Sequence, residues 1–296
     1  MKRILVTGAS GFTGPFLVKA LLARGYAVYS LGASGTEGET VVTADLLDKS
    51  SLEQVVQSVR PDAVIHLAAL SFVNHDTAED FYRVNTIGTL NLLKALDDLE
   101  PSPSRIIIAS SANVYGTPAV EQISEDMCPS PVNHYGASKL SMEHLVAAGY
   151  PQLPVTITRP FNYTGPGQQE RFLIPKIVSH FRRREPVIEL GNTDIARDFS
   201  DVRDIVGYYV ALLEAEREVS PVNLCSGQAF SISEVLDMMA DIAGYRIKVV
   251  VNPLFVRAND IPVLTGDNRR LAEVIGPFRL TPLRETLESM FNEVSR

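Results

Sequence analysis

The chain has 296 residues, of which 45% are hydrophobic and 21% charged, enough apolar material for one large core or two modest ones. A net charge of -8 and a pI near 5.2 supply no basic field for nucleic acid or an anionic membrane, because counterion release needs clustered Lys and Arg. Cys128 and Cys225 lie far apart and fit neither a disulfide framework nor a metal-ligand spacing, so reduced thiols and no metal are expected.

Short β-branched runs alternate with helical patterns through the first half. Residues 3–7, 27–31, 41–43, 63–67, 105–109 and 155–159 read as strands, several apolar on both faces as buried parallel strands are. The first apolar run ends at Gly8, too short for a signal-peptide core, and no apolar stretch approaches about 18 residues. A cytoplasmic protein is the expectation. Between the first strands, residues 16–24 form an amphipathic helix with Leu17, Val18, Leu21 and Leu22 on one stripe and Gly25 as the residue that ends it. A second helix spans about 51–59, with Ser50 and Glu53 in capping-box spacing. Beyond Gly165 a loop of Gly, Pro and Gln runs to Gln169, and helices are expected to predominate from Phe172 onward. Arg182, Arg183 and Arg184, just before Pro186, read as a solvated helix end. The pattern predicts an α/β protein: a doubly wound parallel sheet over 1–165 and a smaller α/β substrate domain over 166–296, with part of 193–225 returning to the first.

Directly after the first strand comes Thr7-Gly8-Ala9-Ser10-Gly11-Phe12-Thr13-Gly14. Gly8 and Gly11 permit a tight turn and close approach of backbone N–H groups to a pyrophosphate at the positive end of the following helix; Gly14 permits close helix–strand packing. Phe12 belongs to the same cradle. Asp45 and Leu46 follow the third strand, and Asp45 either bonds an adenine edge or serves as a turn or cap aspartate. Leu67 and Ala68 close the fourth strand and complete the candidate dinucleotide set. The second strand ends in Leu31-Gly32-Ala33-Ser34, with neither the acid that holds the 2′-hydroxyl of NAD nor an arginine for a 2′-phosphate. Ser34 and Thr36 are neutral donors there, so the reading is NAD(P)H without a preference.

Tyr135-Gly136-Ala137-Ser138-Lys139 sets Tyr135 and Lys139 at i and i+4 on one face of a helix preceded by Pro131 and capped by Asn133. A tyrosine near its ordinary pKa of about 10 is a poor acid–base catalyst at neutral pH, and a neighbouring ammonium is expected to bring it nearer the working range. Lys139 also offers a bond to the nicotinamide ribose. Ser111 lies at the carboxyl end of the fifth strand, where open α/β sheets bind ligands; there it donates to a carbonyl oxygen and steadies Tyr135. Its bland alternative is a strand-end turn serine. Asn85 joins the catalytic set as a residue that orders a water or backbone group near Lys139, whereas His66 reads as a packed structural residue.

Together these residues resemble the extended short-chain dehydrogenase/reductases, the epimerase, dehydratase and reductase superfamily of nucleotide-linked sugars. His66-Leu67-Ala68-Ala69, the run from Arg159 to Gln168, Arg197-Asp198-Phe199-Ser200-Asp201-Val202-Arg203-Asp204 and Asn223-Leu224-Cys225-Ser226-Gly227 extend the likeness over almost the whole chain. It implies that Asn162, Arg197 and Arg257 approach the sugar-nucleotide diphosphate, though Arg197 alone also suits an ion pair with Asp194 or Asp198. Residues 69–73, 161–168 and 261–267 resemble GDP-4-keto-6-deoxy-mannose reductases, which form GDP-rhamnose or its 4-epimer; this implies that Ser71 touches the sugar. Sugar-nucleotide dehydratases carry acid–base residues at the two positions after the catalytic Ser or Thr, where this sequence has Ala112 and Asn113. Without a placed carboxylate the general-base factor of about 10²–10⁴ is lost, which argues against elimination. His134 stands where many relatives have proline.

The expected activity is hydride transfer to the C4 keto group of a nucleotide-4-keto-6-deoxyhexose, GDP-4-keto-6-deoxy-mannose going to GDP-rhamnose. The alternative is a 4-epimerase with tightly held NAD; a remote one is a dinucleotide-sensing regulator without chemistry. Expected partners are the nucleotide sugar and a second copy of the chain. The helical stretches 78–96 and 133–148 offer Phe81, Leu92, Met142 and Leu145 for an isologous contact, unless these face their own sheet.

Overall fold

Strand β1 (Arg3–Thr7) passes through α1 (Gly14–Ala23) to β2 (Ala27–Leu31), and β3 (Thr40–Val42) through α2 (Lys49–Val59) to β4 (Ala63–His66). In this computed structural model, residues 1–32, 35, 37–71, 78–255 and 262–293 are described. Helix α3 (Ala78–Phe81) runs through a π-helical stretch (Tyr82–Gly88) into α4 (Thr89–Asp97). Next come β5 (Ile106–Ala109), a 3₁₀ turn (Ala112–Tyr115), the short β6 (Gln122–Ile123), α5 (His134–Gly149) and β7 (Val155–Pro160).

The remaining elements are β8 (Asn162–Thr164), α6 (Leu173–Arg182), β9 (Val187–Leu190), β10 (Ala196–Asp201), α7 (Val202–Glu214) and β11 (Val222–Leu224). They continue with β12 (Ala229–Ser231), α8 (Ile232–Ala243), β13 (Lys248–Val251), β14 (Val263–Gly266), α9 (Arg269–Ile275) and α10 (Leu283–Phe291). Helices hold most of the regular structure after Phe172, as expected, but six strands, β9 to β14, are threaded between them. Five of the six have only three or four residues, which carry too few alternations to register as a period.

Seven strands form one parallel sheet in the order β11-β7-β5-β4-β1-β2-β3. The order reverses between β1 and β4, which opens a crevice above their carboxyl ends, the place where wound sheets bind ligands. Both faces are covered, which is why β4 and β5 are almost wholly apolar and buried. One face packs Leu17, Val18 and Leu21 of α1 with Ile205, Tyr209 and Leu212 of α7; the other packs Leu52 of α2, Leu92 of α4 and Met142 of α5. Truncating one such side chain, for example Leu17→Ala, costs about 2–5 kcal/mol. Helices α6, α8 and α10 bury a separate core around Ile177, Phe181, Met239 and Leu287.

Local signals differ from expectation in detail. The third strand begins one residue early, at Thr40, and the fourth ends at His66. Helix α2 is capped by Asp48, whose carboxylate accepts from the Ser51 amide at 3.2 Å, so Ser50 lies inside the helix and the expected Ser50/Glu53 box does not form. Asp48 has the extended backbone a cap requires and an acceptor that reaches further than a serine hydroxyl.

Candidate functional site

The glycine loop is shaped by backbone contacts that leave no room for side chains. Gly8 has φ +72°, and a β-carbon there would lie 2.7 Å from the Ala68 amide nitrogen; one at Gly14 would lie 2.1 Å from the Ala9 carbonyl oxygen. Gly11 donates its amide to the Gly8 carbonyl at 3.0 Å, closing the turn. No side chain caps the start of α1, because the Thr13 hydroxyl pairs instead with the Tyr163 hydroxyl at 2.8 Å. First-turn amides of α1 are thereby left for an anion. Phe12 stacks on Tyr163, with ring centroids 5.9 Å apart.

Beside this loop lies a cavity of about 460 Å³ lined by Gly8, Leu31, Gly32, Asp45, Leu46 and Ala68 among others. Four expected dinucleotide residues thus share one wall, while Gly11, Phe12, Gly14 and Leu67 stand outside it. A cradle that a β-carbon would fill, uncapped helix amides and an adjoining slot of this size fit a dinucleotide. Asp45 is exposed, and its carboxylate accepts from the Leu47 amide at 2.9 Å, so it makes the turn contact while still facing the cavity. Ser34 and Thr36 lie outside the described residues.

At the carboxyl end of β5, Ser111 opens the 3₁₀ turn. Its hydroxyl oxygen accepts from the amide and the side-chain nitrogen of Asn113, both at 3.1 Å. Across from it stands α5, capped by Asn133 as expected, with the Asn133 side chain accepting from the Gly136 amide at 2.8 Å. Tyr135 is half-buried. Burial pushes its phenol up to about 12, the Ser111 hydroxyl counters this by hydrogen bonding, and Tyr163 adds to the rise. The lowering expected from Lys139 is not what the structure shows: burial prevails, and the Lys139 ammonium donates to the Ala109 carbonyl at 2.7 Å. Burial in turn brings Lys139 down to about 8, opposed by Glu143.

Behind the trio runs a buried ionic chain. The Arg159 guanidinium grips Glu143 through Nε at 3.1 Å and Nη2 at 2.6 Å, and donates from Nη1 to the Tyr115 hydroxyl at 3.0 Å. The Ser110 hydroxyl also donates to Glu143. Tyr115 donates to Asn223 at 2.7 Å, and the Asn223 amide to Glu125 at 2.8 Å. Sequence reasoning assigned no role to Tyr115, Glu143 or Tyr163. A carboxylate four residues beyond Lys139 was the available signal for Glu143.

Asn85 lies in the π-helical stretch, a distortion that frequently accompanies functional sites. It does order backbone, that of Leu70, accepting from the amide at 2.8 Å and donating to the carbonyl at 3.0 Å; it also donates to the Ser138 hydroxyl at 3.1 Å. His66 is packed as expected. His134 meets Tyr82, with its ring 3.2 Å from the Tyr82 hydroxyl, and so ties α5 to the π-helical stretch.

The expected substrate residues are more scattered. Ser71 is exposed at the end of the segment that Asn85 holds, and Asn162 is exposed on β8, where it pairs with Phe199 of β10. Arg197, two residues along β10 from Phe199, donates to the Ala196 carbonyl at 2.8 Å. Arg257 lies outside the described residues. Of the acids in this run, Asp198 accepts from the amides of Ser226 and Gly227 at 2.9 and 2.8 Å and binds the loop after β11, while Asp201 caps α7 and accepts from Thr286 at 2.7 Å.

A wound sheet with a glycine cradle at its switch point, and Ser111, Tyr135 and Lys139 at the carboxyl end of β5, defines an extended short-chain dehydrogenase/reductase. The chain belongs to this superfamily, and within it to the family described as GDP-mannose 4,6 dehydratase, which it matches over residues 5–290. It is 39% identical to a GDP-6-deoxy-D-talose 4-dehydrogenase of Aggregatibacter actinomycetemcomitans, covering 98% of this chain and 97% of that protein. It is 33% identical to a GDP-6-deoxy-D-mannose reductase of Pseudomonas aeruginosa, covering 99% and 97%. The structure of RMD from Pseudomonas aeruginosa complexed with NADPH superposes with a TM-score of 0.85 at 31% identity, covering 98% and 96%. UDP-glucose 4-epimerases also match, that of Corynebacterium glutamicum at 28% identity over 93% of this chain and 90% of that protein.

Proposed function

We propose that the chain reduces the C4 keto group of GDP-4-keto-6-deoxy-mannose. The observation that carries this reading is the placement of Ser111 at the carboxyl end of β5 with Tyr135 and Lys139 on α5, whose lysine reaches the last carbonyl of β5, beside the glycine cradle. Bound NADH or NADPH supplies the hydride. Ser111 donates a hydrogen bond to the C4 oxygen, and Tyr135 gives that oxygen its phenolic proton, so the carbonyl becomes a hydroxyl. A phenol held up at about 12 stays protonated at neutral pH and so has the proton to give; it is a weak acid there, but the alkoxide that forms on C4 is a stronger base than the phenolate. Lys139, one helical turn beyond Tyr135, would hold the nicotinamide ribose. Asn85 acts through the Leu70 segment and Ser138, as a positioning residue. Residues 1–165, with the part of 193–225 that returns to them, hold the cofactor, and the rest of 166–296 binds the sugar nucleotide, with Ser71, Asn162, Arg197 and Arg257 on its path.

Although the family takes its name from a dehydratase, Ala112 and Asn113 place no carboxylate beside Ser111, and Asn113 holds the serine oxygen instead. Reduction needs no such base. The product of the first reading is GDP-rhamnose; the 39% relative, a talose dehydrogenase, favours the 4-epimer as a second. We also propose a homodimer built on the α4 and α5 side of the sheet.

The test is to offer the purified protein GDP-4-keto-6-deoxy-mannose with NADH and with NADPH, following loss of the reduced cofactor and the C4 configuration of the product. Net oxidation of added cofactor is expected, from protein that purifies largely free of nicotinamide. Stoichiometric NAD surviving gel filtration, with interconversion of 4-hydroxy epimers and no added cofactor, establishes an epimerase instead.

A further inference from the structure

We propose that Glu143 is a positioning residue of this reaction: its buried carboxylate, one helical turn beyond Lys139, keeps the lysine charged and anchors the strand end that carries Ser111. The assignment rests on the roles given above to Lys139 and Ser111. It stands on geometry. Residues four apart on a helix share a face, so Lys139 and Glu143 both point from α5 towards β5 and β7. The Glu143 carboxylate is fixed at both oxygens by Arg159 of β7, at 3.1 and 2.6 Å, and by the hydroxyl of Ser110, the neighbour of Ser111. Lys139 is 2% exposed and its one hydrogen-bond acceptor among the described residues is the Ala109 carbonyl.

An ammonium so enclosed loses hydration that a single carbonyl does not replace. The other titratable groups near it are His66 of β4, Tyr135 of its own helix, and Arg159 with Tyr115 beyond Glu143. His66 is neutral, Tyr135 is a protonated phenol, and the Arg159 charge is repulsive. Glu143 is therefore the group that favours the charged lysine, and it opposes a burial that has already brought Lys139 down to about 8. Arg159 tempers this attraction, so the two members of the pair act on Lys139 with opposite sign.

The test compares E143Q and R159K. Gln keeps the shape and an acceptor for Arg159 and Ser110 but removes the charge. The basic limb of the kcat/KM profile is expected to move down by about one pH unit in E143Q, so that activity falls about tenfold near pH 8.5 and less than threefold near pH 6. In R159K the shorter cation holds the carboxylate less closely, and the limb moves up. The Lys139 side chain is also titrated directly by NMR in lysine-labelled protein, with K139M giving the assignment. That readout needs no turnover: opposite shifts of the lysine in the two variants support the coupling even if the reductase reading fails. Unshifted titration in both, with activity and thermal midpoint falling together, reduces Glu143 to a packing role. Should E143Q not fold, R159K decides, and an unmoved or lowered Lys139 titration in it overturns the proposal.

Discussion

The hydroxyl of Thr89 sets the tautomer of His66. Thr89 donates its proton to the Asn85 carbonyl at 2.8 Å, so its oxygen accepts from His66 Nε2 at 2.9 Å. Nδ1 then accepts from the Thr7 hydroxyl at 2.6 Å, and the Thr7 oxygen accepts from the Ala68 amide at 3.2 Å. Every donor points one way, from the cradle beside Gly8 to the segment that bears Asn85. A protonated imidazole would have two donors and would face the Thr7 hydroxyl proton.

This chain predicts a pH dependence of stability. Burial, aided by the charge of Lys139, holds His66 down at about 3, whereas the unfolded residue titrates near 6.5. Between those values the unfolded chain binds more protons. The stability due to His66 is therefore full above about pH 6.5 and is lost as pH falls towards 3, at up to ~1.4 kcal/mol per unit. Urea unfolding across this range is expected to show a flatter dependence in His66→Gln, which also loses about 1–3 kcal/mol at pH 8. An equal slope in both proteins would assign the effect to other groups.

Removing the phenol of Tyr135 should separate binding from chemistry. Tyr135→Phe keeps the ring against Phe81, whose centroid is 5.9 Å away, and deletes the proton donor. Cofactor affinity is expected to change little while turnover falls about 10²-fold or more. Lys139→Met should weaken both. Turnover of the phenylalanine variant within threefold of wild type contradicts the donor assignment.

The glycines of the cradle differ from one that merely ends a helix. Gly8→Ala places a methyl 2.7 Å from the Ala68 amide as well as forcing a left-handed backbone, so cofactor affinity should drop about tenfold or more and the thermal midpoint should fall. Gly25 has φ +78° but open space around it, so Gly25→Ala should cost only the ~1–2 kcal/mol of strain and leave affinity unchanged. Equal losses of affinity from both substitutions would remove Gly8 from the binding site.

The proposed dimer makes a narrower demand than the apolar pattern suggested. Of the four residues expected at the contact, Leu92 and Met142 face their own sheet at 1% and 0% exposure. Leu145 is 45% exposed and Phe81 half-buried, and Ile87 of the π-helical stretch, 47% exposed, adds to the outward set. Light scattering at micromolar concentration is expected to give a dimer mass, and Leu145→Glu to shift it towards the monomer. A wild-type monomer under those conditions rules the contact out.

Periodicity, glycine spacing and capping residues determined much by themselves. The wound sheet was legible because buried parallel strands must be apolar on both faces, and the cradle because left-handed and close-approach positions admit only glycine. Tyr135, Lys139 and Asn133 were legible because helical spacing and capping are local. Tertiary structure decided what depends on residues far apart in sequence. The Glu143–Arg159–Tyr115–Asn223 chain joins α5, β7, the 3₁₀ turn and β11, and apart from the helical spacing of Glu143 from Lys139 nothing local marks its members as partners. The same holds for Thr13 turning from its helix cap to Tyr163, 150 residues away. Burial likewise set the sign at Tyr135: helical spacing promised it a nearby cation, but desolvation of the phenolate pushes the phenol up, and only the packed chain determines how much water is lost.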